Sequence, residues 1–202
     1  DPDSMIKRCG ADALRLFILF AAPPETQLEW DDRGLEGAFR FLNRVWRIGE
    51  NLQEKAGDDV VRALHKAIKK VTEDVESFKF NTAIAAMMEL VNAIYQSAAD
   101  RAVYETLLKL LCPIAPHFAE ELWHGLGNTQ SICTAEWPAY DEKYLQMSQV
   151  EMAVVIQGKP RAKLTVAVDA DEETVKNAAL AQERVSEFLA GRTPKKVIVV
   201  PG

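Results

Sequence analysis

Apolar residues recur every three or four positions from the start of the chain to about residue 126, the spacing that places them on one face of an α-helix. The first such helix fits residues 5–20 and is ended by Pro23-Pro24, because proline disfavours helical backbone in the residue before it. Short connections between helices indicate an antiparallel bundle. The five further predicted helices cover about 33–56, 59–78 and 81–99, then run from Arg101 to a break near Pro113 and Pro116, and from that break to Gly125 and Gly127.

The pattern changes after the sixth helix. Residues 129–150 lack periodicity and are predicted to be a linker that packs on the bundle. Apolar and polar residues then alternate, as in a strand with one buried face. The elements predicted here are strands at 152–157 and 161–168 joined by a turn at 158–160, a helix at 169–189 and a third strand at 197–200. The predicted fold class is mainly α, an antiparallel helical bundle followed by a small α+β (ββαβ) C-terminal domain.

Composition places the chain among ordinary globular proteins. It is 48% hydrophobic and 27% charged, which excludes a disordered chain, since such a chain buries too little apolar surface to fold. Its three cysteines, an odd number spread widely along the sequence, exclude a disulfide scaffold. The longest apolar run, 16–22, is a third of the roughly 20 residues that span a bilayer, and no secretion signal opens the chain. We expect a cytoplasmic protein with no membrane partner.

Charge is unevenly distributed along the chain. The formal net charge is -6, yet residues 34–70 carry 8 basic and 5 acidic side chains, whereas residues 71–150 carry 4 and 11. Because a polyanion needs only a local basic patch, the overall balance does not exclude a nucleic-acid partner. The basic excess directs attention to the helix predicted at 33–56.

A search for catalytic groups predicts none. No glycine-rich phosphate loop is present. Glu120 and Glu121 are adjacent, so their side chains diverge by about 100° on a helix, as expected of a solvated face. His117 and His124 are seven residues apart, wider than zinc sites prefer, and Cys112 lies in an apolar helix as a small buried hydrophobe. Neither a catalytic residue nor a metal site is predicted.

Three arginines on the helix at 33–56 are the most informative group, and we call Arg40, Arg44 and Arg47 the arginine row. Their i, i+4, i+7 spacing places them within about 60° of one another around the helix. Two interpretations stay open. The row is either the solvated face of an amphipathic helix or an RNA-backbone contact, since guanidinium forks match phosphate geometry. The opposite half of the helix is apolar and comprises Phe41, Leu42, Val45, Trp46, Ile48 and Leu52.

A second basic group lies in the C-terminal region, and we call Lys159, Arg161, Lys163, Lys195 and Lys196 the tail cations. Strand alternation places Arg161 and Lys163 on one face and apolar residues on the other. Ordinary patterning with hydrophobic residues inside and polar residues outside also explains this pair.

Several segments resemble one family. The stretch Cys9-Gly-Ala-Asp-Ala-Leu-Arg15-Leu-Phe is similar to the region directly after the KMSKS loop of class I aminoacyl-tRNA synthetases. Cys112-Pro-Ile-Ala-Pro-His-Phe-Ala-Glu-Glu-Leu-Trp123 resembles the last helices of their anticodon-binding bundle. Ala21-Ala-Pro-Pro-Glu-Thr-Gln-Leu-Glu-Trp30 and Gln157-Gly-Lys-Pro-Arg-Ala-Lys163 are similar to segments of the leucyl-tRNA synthetase family. The resemblance covers essentially all 202 residues.

The resemblance implies a fragment of an enzyme that attaches leucine to tRNA(Leu) with ATP. ATP and leucine would bind a catalytic domain upstream of residue 1, so no cofactor and no catalytic residue are expected in this fragment, and it is expected to be inactive alone. Its partners would be tRNA(Leu) and the upstream catalytic and editing domains of the same chain. The implied domains are 1–33, a stem segment following the catalytic domain, 34–128, the tRNA-binding bundle, 129–150, the linker, and 151–202, a truncated C-terminal domain.

The resemblance also bears on the basic residues. Arg40 and Arg44 match basic positions of the family's first bundle helix, and Lys159, Arg161 and Lys163 match basic positions of its C-terminal motif. Arg47, Lys195 and Lys196 are predicted tRNA contacts from charge and placement. The alternatives are the same region of an isoleucyl- or valyl-tRNA synthetase, and a stand-alone helical interaction module whose arginines are a solvated face.

Overall fold

The chain divides into two units, Asp1–Leu145 and Gln146–Gly202. The computed structural model describes residues 2–21, 32–145, 149–156, 158–167, 170–182, 184–185, 188, 194 and 197–199. The boundary between the units falls inside the predicted linker. Within the described residues, no helix is both long and apolar enough to cross a membrane.

Helices dominate the first unit, which confirms the mainly α prediction. Most of their buried side chains form one apolar core, with α4 packed along α5 and α2 against α3. The helices are α1 Pro2–Cys9, α2 Ala11–Ala21, α3 Asp32–Gly49, α4 Asp58–Glu76, α5 Phe80–Gln96, α6 Arg101–Leu111 and α7 Pro116–Gly125, followed by short 3₁₀ turns at Ile132–Thr134 and Glu142–Tyr144.

Three of the predicted helices, at 5–20, 33–56 and 169–189, have wrong boundaries, and the last of them spans only Glu172–Leu180. The helix expected over 5–20 is split at Gly10, whose φ of +83° lies in the left-handed region and ends α1. The helix expected to reach residue 56 stops at Gly49, because the chain beyond it leaves the helix axis to bond another loop. There the Gln53 amide donates to the Ala99 carbonyl at 2.9 Å.

One carboxylate joins the two loops at that end of the bundle. Asp100 caps α6, with Oδ1 accepting from the Val103 amide at 2.9 Å. Its Oδ2 accepts from the Ala56 amide at 3.2 Å, and the Gly57 amide donates to the Ala98 carbonyl at 3.3 Å. These hydrogen bonds therefore hold the α3–α4 connection against the α5–α6 connection.

Residues 129–145 lie on α4 and α7. Ile132 is buried in the bundle core, and the Trp137 indole Nε1 donates to Thr72 Oγ1 at 2.8 Å. His65 of α4 stacks on Tyr144 with ring centroids 4.4 Å apart, and its Nδ1 accepts from the Asp141 amide at 3.1 Å. Contacts with side chains of α4, rather than regular backbone hydrogen bonding, therefore hold this segment in place.

A two-stranded antiparallel sheet begins the second unit, with β1 at Gln149–Ile156 and β2 at Lys159–Ala167, and α8 follows at Glu172–Leu180. The predicted alternation is confirmed, because Leu164 and Val166 are buried whereas Arg161 and Lys163 are exposed. The turn is tighter than predicted, since Lys159 already pairs with Ile156. The register of the two strands shifts beside Pro160, because proline has no amide hydrogen to donate to the ladder.

The third strand predicted at 197–200 is not observed over 197–199, the residues of that stretch that the structure describes. Residues 197–199 are not paired with the sheet, and Val200 lies outside the described residues. Val199 instead packs on a small core around Leu164, Val166 and Val175. Ile198, by contrast, is 67% exposed, so the described part of this apolar run forms neither a paired strand nor a buried segment.

Replacing Gly49 with alanine is expected to destabilise the bundle by about 1–3 kcal/mol, because the new methyl group overpacks the core. A Cβ there would lie 2.7 Å from Tyr104 Oη and 2.9 Å from the Tyr104 ring, which is buried and cannot retreat. Gly37→Ala in the same helix is the control, since its Cβ would meet only the flexible Arg40 side chain at 3.8 Å. Urea unfolding measures both, and equal effects would contradict the assigned contact.

The bundle is expected to lose stability between pH 7.5 and pH 5 through His65. Burial lowers the pKa of His65, against the opposing charge of Asp141. The unfolded chain therefore binds this proton at a higher pH, so stability is complete above the unfolded pKa of about 6.5 and declines as pH falls. His65→Asn keeps an acceptor for the Asp141 amide without titrating. Thermal unfolding should show a flatter pH profile for the variant, and identical profiles would contradict the assignment.

Candidate nucleic-acid interface

The arginine row lies on α3 because the opposite side of that helix is buried. Phe41, Leu42, Val45 and Ile48 enter the bundle core, as predicted from their spacing. Arg40 is held loosely. Its side chain is 70% exposed, and its ion pair with Glu36 is long, at 3.9 Å between two exposed groups. Such a pair contributes little stability and yields readily to a phosphate.

Arg44 is held by α5, so the row is not the set of three equivalent guanidiniums that the spacing suggests. Its Nη2 donates to Asn92 Oδ1 at 2.8 Å, and its guanidinium lies 4.6 Å from the centre of the Tyr95 ring. The Tyr95 hydroxyl in turn donates to the Arg44 backbone carbonyl at 3.1 Å. Arg44 is therefore part of the α3–α5 contact.

Arg47 is exposed and has no hydrogen bond or ion pair from its side chain within the described part of the chain. Only its backbone carbonyl is engaged, accepting from Asn51 Nδ2 at 3.0 Å. Among the described residues, Arg40 and Arg47 donate no side-chain hydrogen bond, whereas Arg44 donates one through Nη2 and its guanidinium is held against the Tyr95 ring. The structure ranks Arg40 and Arg47 ahead of Arg44 for contact with a phosphate.

Aromatic side chains beside the row were not foreseen. Trp46 was placed on the apolar half, yet it is 43% exposed, with its indole Nε1 donating to Glu50 at 3.1 Å and its ring 6.2 Å from Phe118. Tyr95 reaches the row from α5 and is also exposed. The hydrophobicity of Trp46 predicted burial, but its polar Nε1–H allows it to remain at the surface. The contact with Tyr95 is tertiary and leaves no local sequence signal.

The described tail cations are engaged to different degrees. Lys163 Nζ lies 2.6 Å from Glu151 Oε1 across the two strands, and this hydrogen bond raises the pKa of Lys163. The Arg161 guanidinium lies 5.0 Å from the centre of the Phe188 ring. Lys159 is exposed at the start of β2. Lys195 and Lys196 lie outside the described residues, so their role stays a prediction.

The base of the bundle is anchored by Asp12 and Arg15 of α2. Asp12 is only 7% exposed, and it accepts from the Phe118 amide at 2.6 Å and from His117 Nδ1 at 3.0 Å. Arg15 donates through Nε to the Ile114 carbonyl at 3.0 Å and through Nη2 to the Pro113 carbonyl at 3.2 Å. The helix that precedes the arginine row is therefore fixed to the α6–α7 turn.

Other polar groups of α7 have structural partners. Glu120 is not simply solvated as expected, because Oε2 accepts from Ser131 Oγ and from the Ile132 amide, both at 3.0 Å. His124 bonds Glu120 through Nε2 at 2.9 Å and the Asn128 carbonyl through Nδ1 at 2.7 Å. Among the described residues, no group of three potential metal ligands is found.

Comparison with known proteins identifies the class. The family model of the anticodon-binding domain of tRNA ligase matches residues 58–176. The leucine–tRNA ligase of Syntrophobacter fumaroxidans is 47% identical over all of this chain and 28% of its own length. That of Geobacter sp. strain M21 is 46% identical over all of this chain and 27% of its own length.

A solved structure also matches. The LeuRS of Agrobacterium radiobacter K84, in a ternary complex with tRNA and LeuAMS, is 30% identical with a TM-score of 0.74, over 100% of this chain and 29% of that one. The chain belongs to the anticodon-binding domain family of tRNA ligases. More narrowly, it is homologous to the C-terminal part of leucyl-tRNA synthetase, and it spans about 28% of the length of the first of these relatives.

Arg44→Ala is expected to lower the free energy of unfolding by about 1 kcal/mol, because it removes the bond to Asn92 and the contact with the Tyr95 ring. Arg47→Ala, which removes the same charge without those contacts, should change it by less than about 0.5 kcal/mol. Urea denaturation of the two variants measures the difference. Equal effects of the two substitutions on the free energy of unfolding would mean that the contacts of Arg44 do not stabilise the protein and that it lies on a solvated face.

Proposed function

We propose that this chain is the tRNA-binding C-terminal portion of a leucyl-tRNA synthetase. The whole enzyme attaches leucine to tRNA(Leu) with ATP in the cytoplasm, where protein synthesis takes place. The observation that carries this proposal is homology over the entire chain to leucine–tRNA ligases, in a region that the family model describes as an anticodon-binding domain. The complex of the Agrobacterium LeuRS with tRNA supports the assignment of the partner.

The chain's own contribution is positioning. Arg40 and Arg47 present guanidinium forks on a helix whose opposite side is buried in the core, so each can donate to a phosphate without loss of packing. Phosphate contacts of this kind set the register of an RNA without reading its sequence. A fixed register brings the 3′ end of the tRNA to a reaction centre elsewhere in the enzyme, which lowers the entropic part of the barrier.

No residue of this chain takes part in the chemistry under this proposal. ATP and leucine bind the catalytic domain, which with the editing domain completes the enzyme. Glu120, His117 and His124 are each hydrogen-bonded to a residue outside α7. Their engagement agrees with a structural role for these titratable side chains.

The alternative families receive less support. Both relatives described above are leucine–tRNA ligases, at 46–47% identity, which favours the leucyl enzyme over an isoleucyl or valyl one. A stand-alone interaction module is disfavoured because this chain aligns with 27–28% of much longer enzymes.

A salt titration of tRNA(Leu) binding tests the role of the row. Arg47→Ala should weaken binding several-fold at low salt and reduce the magnitude of the slope of log affinity against log salt by roughly one, because one phosphate contact is lost. The net charge of -6 repels RNA at long range, so binding should be modest and decline steeply with salt.

Arg101→Ala is the matched control, since it removes one positive charge that is already paired with Glu105 at 2.8 Å on α6. Its slope should equal that of the parent. If Arg47→Ala and Arg101→Ala behave alike, the row is a solvated face. The affinity for a tRNA of another amino-acid identity should fall by the same factor on Arg47→Ala, because the contact is to the RNA backbone.

A further inference from the structure

Two cysteines that are 21 residues apart in the chain meet at one end of α6. Cys112 directly follows α6, and Cys133 lies in the 3₁₀ turn Ile132–Thr134. Their Sγ atoms are 3.6 Å apart, and both are free thiols. Separation along the sequence had argued against any pairing of cysteines, so this contact is a product of the fold.

The surroundings of Cys133 hold it beside Cys112. Ile132, the preceding residue, is 3% exposed and packs in the bundle core. Glu120 accepts from the Ile132 amide and from Ser131 Oγ, which itself accepts from the Cys133 amide at 3.2 Å. The backbone on both sides of the thiol is therefore fixed to α7.

The two thiols differ in accessibility. Cys133 is exposed, whereas Cys112 is half-buried. Burial, together with the adjacent Cys133, raises the pKa of the Cys112 thiol to about 12. Since the thiolate is the reactive form, a dissolved oxidant meets Cys133 first and Cys112 acts second.

We propose that Cys112 and Cys133 form a reversible intrachain disulfide when the protein meets hydrogen peroxide. A disulfide bond is about 2.05 Å long, so the sulfur atoms must approach by about 1.5 Å. The exposed side chain of Cys133 can supply much of this movement by rotation about its own bonds. Nothing in the proposed tRNA-binding role requires this reaction.

The chemistry balances with the peroxide as the two-electron oxidant. The Cys133 thiolate attacks one peroxide oxygen, the O–O bond breaks, and water leaves after protonation, which gives a sulfenic acid on Cys133. Cys112 Sγ then attacks Cys133 Sγ, the S–O bond breaks, and the departing hydroxide takes the Cys112 proton to form a second water. Two thiols and one peroxide thus become one disulfide and two waters.

The cross-link would close a loop that contains all of α7. That helix carries Phe118, whose amide is bound by Asp12, and Trp123, whose indole Nε1 donates to the Gln130 carbonyl at 2.9 Å. The disulfide would therefore add a covalent link between the end of α6 and the segment that follows α7, beside a helix whose start is already anchored to α2. Its expected consequence is slower amide exchange in residues 116–135 of the oxidised protein.

The test treats the 202-residue chain carrying Cys9→Ser with hydrogen peroxide, so that only the two thiols remain. We expect the denatured product to show no free thiol, to remain monomeric, and to yield a peptide pair linked through Cys112 and Cys133. Dithiothreitol should restore both thiols. Oxidation to a disulfide between molecules, or two thiols left intact, would overturn the proposal.

Trapping the intermediate sharpens the test. In Cys112→Ala the Cys133 sulfenic acid has no partner, so dimedone should label it strongly, whereas the protein that retains both thiols should be labelled weakly. Cys112→Ser is a second variant should the alanine protein fold poorly. Equal dimedone labelling with and without Cys112 would show that Cys112 does not act on Cys133, and the proposal would fail.

Discussion

The buried carboxylate of Asp12 is the constraint on which the bundle depends. A charge removed from water is costly unless hydrogen bonds replace its hydration, and Asp12 obtains them from the Phe118 amide and His117. Arg15, one turn further along α2, satisfies two carbonyls that the proline-broken turn after α6 leaves without helical partners. Two segments about 100 residues apart therefore form one polar joint. These bonds hold α2 and α7 together, and the helices that lie between them in the sequence, α3 to α6, complete the bundle.

Local pattern predicted most of the elements, whereas tertiary bonds determined where they end. Helical spacing located the core of α3, and alternation located the buried face of β2. The break at Gly10 was missed because one glycine inside an apolar run is compatible with a continuous helix until its positive φ is known. The apolar run at 197–200 predicted a strand, but apolar residues need not pair: Val199 packs on the small core while Ile198 is 67% exposed. Neither of these two errors arose from the amino-acid composition of the segment.

The candidate site shows the same division between local and tertiary information. Spacing grouped Arg40, Arg44 and Arg47 correctly on one helix, but all three have the same local pattern. Only the packing of α5 distinguishes Arg44, which Asn92 and Tyr95 hold, from Arg47, which keeps its donors. Which arginine is free to bind a ligand is therefore decided by what its neighbours on other helices leave unbonded. A charge count over residues 34–70 cannot make that distinction.

The sharing of Asp100 between two connections has an evolutionary consequence. Its carboxylate serves the cap of α6 and the amide of Ala56, while Gln53 and Gly57 bond the loop before α6. An insertion in either loop would displace partners in the other, so the two loops can change length only together. Residue 57 is constrained as well, because a Cβ on Gly57 would overlap the Ser97 side chain in the loop before α6. Homologues should thus conserve the lengths of these two loops, together with a glycine at position 57.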